Sequence, residues 1–219
     1  MGDAFILLDL DGTILHLGWG DPEVHRARER LVALARAHAL NPPHGMLIPS
    51  LAALGAQDPS ILEALDEVEA VAARSARLCD GALAALDALG ELPWAIVTSN
   101  GRPCAEAALR AVGLDAPRSR VMVCRGETRA LKPDPEPLRR AVADLANVHG
   151  QPACVVMVGD AATDLQAAAA LGREASYPVH GLGVLGGVSS ERRFLEAGAA
   201  RVLASLSQLS TALEELLPR

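Results

Sequence analysis

The stretch FILLDLDGTILH, residues 5–16, sets an apolar run directly against two carboxylates, Asp9 and Asp11, and then a Gly-Thr turn. In an extended chain successive side chains alternate faces, so residues i and i+2 point the same way. Two carboxylates brought to one spot repel, and one tends to hold a proton unless a cation sits between them. Asp-Gly is also a common hairpin signal. This stretch by itself leaves a polar turn and a functional site both open.

Working outward from it, similar runs recur. After AFILLD (4–9) come PWAIVTS (93–99), RVMVC (120–124) and ACVVMVGD (153–160), with weaker runs near 175–179 and 200–204. Each ends in small or polar residues and is followed by helical spacing, over 81–92, 103–112, 135–148, 163–171 and 206–217. Runs that are apolar throughout suit strands covered on both faces by helices. Asp134-Pro135 reads as a helix start, and Gly113 and Gly172 stand where helix ends belong. Strands alternating with helices predict an α/β fold, a doubly wound parallel sheet.

One region breaks the rhythm. From about His16 to Cys79 no strand is expected. Asp21-Pro22 opens a helix reaching about residue 40, residues 41–45 (NPPHG) mark a loop, and helical spacing returns over 50–54 and 59–78. The expected organisation is a core of residues 1–15 and 80–219, with a small all-helical segment, 16–79, inserted after the first strand.

Composition bounds the partners. Half of the 219 residues are apolar, yet only five are aromatic, so the core is built of Ala, Leu and Val. A net charge of -7 without a basic cluster argues against nucleic acid or an anionic membrane. The apolar runs are strand-length, and Asp9 and Asp11 interrupt the first one, so neither a membrane span nor a signal peptide is expected. Cys79, Cys104, Cys124 and Cys154 lack metal-like or disulfide-framework spacing, which fits a cytoplasmic protein. Of the 20 basic residues all but one are arginine; the exception is Lys132.

Ligands of open parallel sheets bind at the carboxyl ends of the strands. There the first strand delivers Asp9 and Asp11, and the second Thr98-Ser99-Asn100-Gly101. A loop after the third holds Lys132-Pro133, and the fourth delivers Gly159-Asp160, with Asp164 in the next helix's first turn. Each cluster alone has a structural excuse, as a turn residue, a helix-start charge or a solvated cation. Four of them on one rim point to chemistry.

DLDGT, SNG, Lys-Pro and VGDAATD, in this order and spacing, resemble the four-motif signature of the haloacid dehalogenase-like hydrolase superfamily. The helical insertion resembles that family's cap. Gly181-Leu182-Gly183, followed by 190–201, resembles the tail of its phosphoglycolate phosphatase-like branch. The resemblance implies a Mg²⁺-dependent phosphatase of a small phosphomonoester, such as phosphoglycolate or a sugar phosphate. Asp9 is the implied nucleophile, forming an aspartyl-phosphate, and Asp11 the acid and base. Ser99 and Asn100 would bind the phosphoryl group; Lys132 would pair with Asp9 and the phosphoryl. Strand alternation favours Ser99 over its rival hydroxyl, Thr98. Asp9, Asp160 and the Asp11 main-chain carbonyl are the implied metal ligands, with Asp164 supporting the metal or Lys132.

Alternatives differ in what they need. Haloalkanoate dehalogenation lacks an acid at the position of Asp11, and phosphonoacetaldehyde hydrolysis needs a cap lysine, absent here. A β-phosphoglucomutase-like sugar-phosphate mutase keeps every core motif and is the runner-up. A receiver-like signalling protein or a non-catalytic phospho-ligand binder leaves the insertion or the full acid set unexplained. For specificity the candidates are His16, Trp19, His25, His44, Arg74 and Arg77. Oligomeric state is not legible.

Overall fold

A computed structural model of the chain describes residues 3–37, 59–114 and 121–217. In chain order its elements are β1 (Ala4–Leu8), β2 (Leu15–His16), α1 (Pro22–Ala37), α2 (Pro59–Arg74), β3 (Arg77–Leu78), α3 (Ala82–Leu89) and β4 (Trp94–Gly101). There follow α4 (Arg102–Ala111), β5 (Met122–Arg125), α5 (Glu136–His149), β6 (Cys154–Gly159), α6 (Ala162–Glu174) and β7 (Val179–Val184). Then come α7 (Glu191–Glu196), β8 (Arg201–Leu203), a 3₁₀ turn (Leu206–Gln208) and α8 (Leu209–Leu216).

Six strands form one parallel sheet in the order β5-β4-β1-β6-β7-β8. The chain builds outward from β1 through β4 to β5, then returns to the other side of β1 and builds outward through β6, β7 and β8. The direction reverses between β1 and β6, where Leu8 stands opposite Val158. A crevice opens at the carboxyl ends there, because the connections on either side diverge.

Alternation along β1 separates two cores. Phe5 and Leu7 pack with Leu138, Val142 and Leu145 of α5 and Ala168 and Leu171 of α6. Ala4, Ile6 and Leu8 face Ala85 and Leu89 of α3, Ala105 and Leu109 of α4, and Leu213 of α8. Both faces of β1 are therefore dry, as its unbroken apolar run demands. Val24 and Leu31 of α1 and Ile61, Leu65 and Val68 of α2 belong to this second cluster, so the inserted helices share the core of the sheet.

Local signals account for the element ends. Asp21 accepts the Glu23 N–H at 2.9 Å and the Ser75 hydroxyl at 2.9 Å, tying the start of α1 to the end of α2. Asp134 accepts the Glu136 N–H at 2.8 Å, and Pro135 precedes the first helical residue. Gly113, at φ +73°, follows α4, where the Leu114 N–H reaches the Leu109 carbonyl at 2.9 Å.

Several expectations need correction. The stretch 16–79 was expected to hold no strand, yet β2 and β3 pair antiparallel, Leu15 with Leu78 and His16 with Arg77. Two residues per strand leave no alternation to read. Gly172 does not end α6, which runs on to Glu174. The strand expected near 175–179 is β7, at Val179–Val184, whose two glycines thin the apolar signal. The loop at 41–45, the helix at 50–54 and the far end of α1 fall outside the described residues. Among those described, no helix is long and apolar enough to cross a membrane.

Candidate active site

Asp9 follows β1 directly, between two paired strands; its N–H donates to the Val158 carbonyl at 2.9 Å. Asp160 follows β6, and Asp164 lies one turn into α6, where its carboxylate accepts the Ala161 N–H at 3.0 Å. Oxygens of Asp9, Asp160 and Asp164, all three buried, come within 4.8 Å of one another. Lys132 arrives from the loop after β5 and is only 4 % exposed. Its Nζ lies 2.6 Å from Asp9 Oδ1, 2.6 Å from Asp164 Oδ1 and 2.7 Å from the Val97 carbonyl, so each ammonium proton has an acceptor. A serial distance of 123 residues separates Lys132 from Asp9.

The charges do not balance. Three buried carboxylates face one ammonium. Burial raises the Asp9 carboxyl well above its usual range against the opposing pull of Lys132, and Asp164 and Asp160 raise it further. Burial, then repulsion from Asp164, pushes Asp160 up to about 7, against the pull of the Val188 N–H. Burial works against the Lys132 ammonium, but Asp164 and Asp9 outweigh it and hold its pKa above the usual value. A site with surplus negative charge and hard oxygen donors suits a divalent cation such as Mg²⁺. The surroundings of Asp160 are built closely. Its carboxylate accepts the Val188 N–H at 3.0 Å, and its carbonyl accepts the Ser189 N–H at 3.2 Å. A Cβ on Gly12 (φ +85°) or Gly187 would stand 2.3 or 1.9 Å from Asp160 Oδ2, so only glycine fits at either place.

Asp11 sits apart from the three-carboxylate group. Its Oδ1 accepts the Leu17 N–H at 2.8 Å and its Oδ2 the Trp19 indole N–H at 2.5 Å. Burial raises its pKa, with those two hydrogen bonds pulling the other way. A carboxyl held up by burial can carry a proton toward neutral pH.

A cavity of about 460 Å³ opens over these groups. Its floor includes Asp9, Asp11, Lys132, Asp160 and Asp164, together with Ser99 and Asn100 from the end of β4. Thr98 is buried instead and donates its hydroxyl to Asn100 Oδ1 at 3.0 Å, which leaves Ser99 as the cavity-lining hydroxyl of the pair. Of the specificity candidates, His16 and Trp19 line the cavity. Arg74 instead pairs with Glu23 at 3.9 Å, both largely exposed, while Arg77 lines a separate surface cleft and His25 is exposed. His44 lies outside the described residues.

Sequence reading missed Arg28, Leu31, Leu65 and Val68, which also line the cavity. A signal was present for the first: Val24, Arg28 and Leu31 share one face of α1, so Arg28 is a cation within an apolar stripe. It also missed Gly187 and Val188, which come from the loop after β7 and carry no side-chain chemistry to notice. The four cysteines are free thiols; burial pushes Cys79 and Cys124 up to about 12, so neither is a ready nucleophile.

The chain also matches known proteins. Residues 5–172 match the family model described as haloacid dehalogenase-like hydrolase. The chain is 30 % identical over 180 residues to an N-acetylmuramic acid 6-phosphate phosphatase of Pseudomonas aeruginosa, covering 74 % of this chain and 75 % of that one. It is also 30 % identical over 188 residues to a plasmid-encoded phosphoglycolate phosphatase of Cupriavidus necator, covering 76 % and 77 %. Among solved structures, a hydrolase from Pseudomonas syringae superposes with a TM-score of 0.73 at 24 % identity, over 99 % of this chain and all of that one.

Proposed function

Because the chain belongs to the haloacid dehalogenase-like hydrolase family, we propose that it is a Mg²⁺-dependent phosphatase of small phosphomonoesters. The observation that carries this is Lys132, held 2.6 Å from both Asp9 and Asp164 on the floor of a cavity that Asp160 and Ser99 also line. Residues 16–79 form the cap in this reading, and 1–15 with 80–219 the catalytic core.

Asp9 is the nucleophile. A carboxylate oxygen attacks phosphorus, the bond from phosphorus to the leaving alkoxide breaks, and Asp11 gives that oxygen its proton. Water then attacks the aspartyl-phosphate, Asp11 takes its proton, and inorganic phosphate leaves with Asp9 restored. The raised pKa of Asp11 suits the first half-reaction, in which it must arrive protonated. Lys132 pulls Asp9 toward its ionised form, against burial, and aims it, and Ser99 and Asn100 hold phosphoryl oxygens from the β4 side. Asp9 and Asp160, with the Asp11 carbonyl, would hold Mg²⁺, and Asp164 anchors Lys132. The bound cation would shield the carboxylate and phosphate as they meet.

The cavity is of ordinary ligand size. Trp19, Leu31, Leu65 and Val68 offer an apolar wall, and Arg28 a cation. A leaving group of sugar size, with an anionic or hydroxyl-rich edge toward Arg28, fills this space better than a two-carbon acid. One relative is named for a sugar phosphate and another for phosphoglycolate, and both names favour hydrolysis over a mutase. A net charge of -7 disfavours polyanionic partners, and four unpaired thiols fit a reducing cytoplasm.

The test is turnover of a generic aryl phosphate with Mg²⁺ and with chelator, then of a panel of phosphorylated metabolites. Mg²⁺-dependent release of phosphate is expected. Chelator-insensitive release, or none from any ester, overturns the reading.

A further inference from the structure

Glu69 is a fully buried carboxylate on α2, at 0 % exposure, and no step described so far uses it. A buried charge persists only if partners replace water. Here they come from the core. The Arg125 guanidinium grips both carboxylate oxygens, Nη1 on Oε1 and Nη2 on Oε2 at 3.0 Å. The Gly101 N–H donates to Oε2 at 2.9 Å, and the Asn100 side-chain amide to Oε1 at 3.2 Å. Arg125 also donates to the Ser99 carbonyl at 3.3 Å and to Asp66 of α2 at 2.5 Å.

These contacts converge on three consecutive residues, Ser99, Asn100 and Gly101, two of which line the cavity. Asn100 is held from both sides: Glu69 takes its amide N–H, and the Thr98 hydroxyl donates to its Oδ1 at 3.0 Å. Gly101 keeps the approach close: a Cβ there would lie 3.1 Å from Arg125 Nη2 and 3.3 Å from Glu69 Oε2, so those groups would have to give by a few tenths of an ångström. The Gly101 N–H, at the start of α4, is occupied by this carboxylate rather than facing the cavity.

We propose that Glu69, clamped by Arg125, is the positioning residue through which the inserted helix α2 sets the phosphoryl-binding strand end at Ser99 and Asn100. Deepening the phosphatase reading, this claim rests on those two residues binding phosphate. A buried ion pair contributes little net stability compared with apolar packing, so geometric specificity is the stronger reason for having one here. A purely electrostatic role predicts the opposite outcome. A negative charge this close to a phosphoryl site repels substrate, so neutralising Glu69 would then tighten binding. A positioning role makes binding weaker.

The experiment compares wild type, Glu69→Gln, Arg125→Lys, Asp66→Asn and the double variant Glu69→Gln/Arg125→Met. KM and kcat are measured for an aryl phosphate, with the inhibition constant of inorganic phosphate and the thermal midpoint. Glu69→Gln and Arg125→Lys should raise KM and the phosphate inhibition constant about tenfold or more, the scale of a misplaced binding group. Asp66→Asn, whose side chain is 59 % exposed, should leave both unchanged. The double variant should regain thermal stability but keep the high KM. Lower or unchanged KM in Glu69→Gln, or a normal KM in the double variant, overturns the proposal. Amide exchange at Asn100 and Gly101 needs no substrate and should quicken in Glu69→Gln. Turnover by wild type tests the phosphatase reading separately. If wild type fails to turn over but exchange quickens, that reading falls and the positioning contact stands. Unchanged exchange overturns the contact itself.

Discussion

Lys132→Arg keeps the charge and changes only its shape, which makes it a sharp test of the site. Three protons on one nitrogen meet three acceptors, at 2.6, 2.6 and 2.7 Å, in a pocket that leaves Lys132 only 4 % exposed. A guanidinium spreads its charge over a planar fork, and no one of its nitrogens carries three protons. At least one contact must go. A hydrogen bond to a charged group contributes ~1.5–3 kcal/mol, and each ~1.36 kcal/mol is tenfold in rate. The expected fall in kcat is therefore about 10²-fold at saturating Mg²⁺ and aryl phosphate. The larger head group should also strain a packed interior by ~1–3 kcal/mol, so the melting temperature should drop while the protein stays folded. A kcat within about threefold of wild type, less than half of one decade, would refute the reasoning. Lys132 would then be a lysine by chance of composition.

Asp9→Asn should abolish turnover and any covalent phosphoprotein, whereas Asp11→Asn should slow both half-reactions by ~10²–10⁴-fold; labelled phosphate trapped on Asp9→Asn would place the nucleophile elsewhere. Gly187→Ala, whose new Cβ would sit 1.9 Å from Asp160 Oδ2, should weaken Mg²⁺ binding about 10- to 100-fold, the effect of disturbing a ligand's support, as read by metal titration. Asp160, raised to about 7, favours the folded state below its unfolded pKa of about 3.9, and that contribution is lost as pH rises through about 7. Without metal, the melting temperature of wild type relative to Asp160→Asn should therefore fall between about pH 4 and about pH 7 and level off above that. Mg²⁺ should flatten that trend, and a difference already flat without metal contradicts the assignment.

Much of the fold was legible because it rests on long apolar runs. β1, β4 and β6 are buried on both faces, and nothing but continuous hydrophobicity could serve there. The groups on the cavity floor were legible for a related reason. Polar residues that end such strands are candidates for the crevice, so Asp9, Ser99 and Asp160 announce themselves by position, with alternation setting Ser99 apart from the buried Thr98. What stayed hidden depends on packing between segments. β2 and β3 are too short for any periodicity, and the Val188 N–H acts on Asp160 through its backbone. Glu69 sits beside the apolar stripe of Ile61, Leu65, Val68 and Ala72, where a sequence shows a solvated edge. Only the docking of α2 against β4 and α4 turns it inward, onto Arg125.

The lone lysine also gives the molecule a chemical label of its own. Native chains present no accessible lysine amine, because the Lys132 ammonium is enclosed and held protonated by two aspartates. Acylating reagents need a free, neutral amine, so lysine modification would count only those molecules whose reaction centre has come apart. The rate of that modification becomes a clock for opening at one known atom, and Mg²⁺ or phosphate should slow it if they bind there. Supports and dyes coupled through lysine would, by the same logic, capture mainly damaged enzyme.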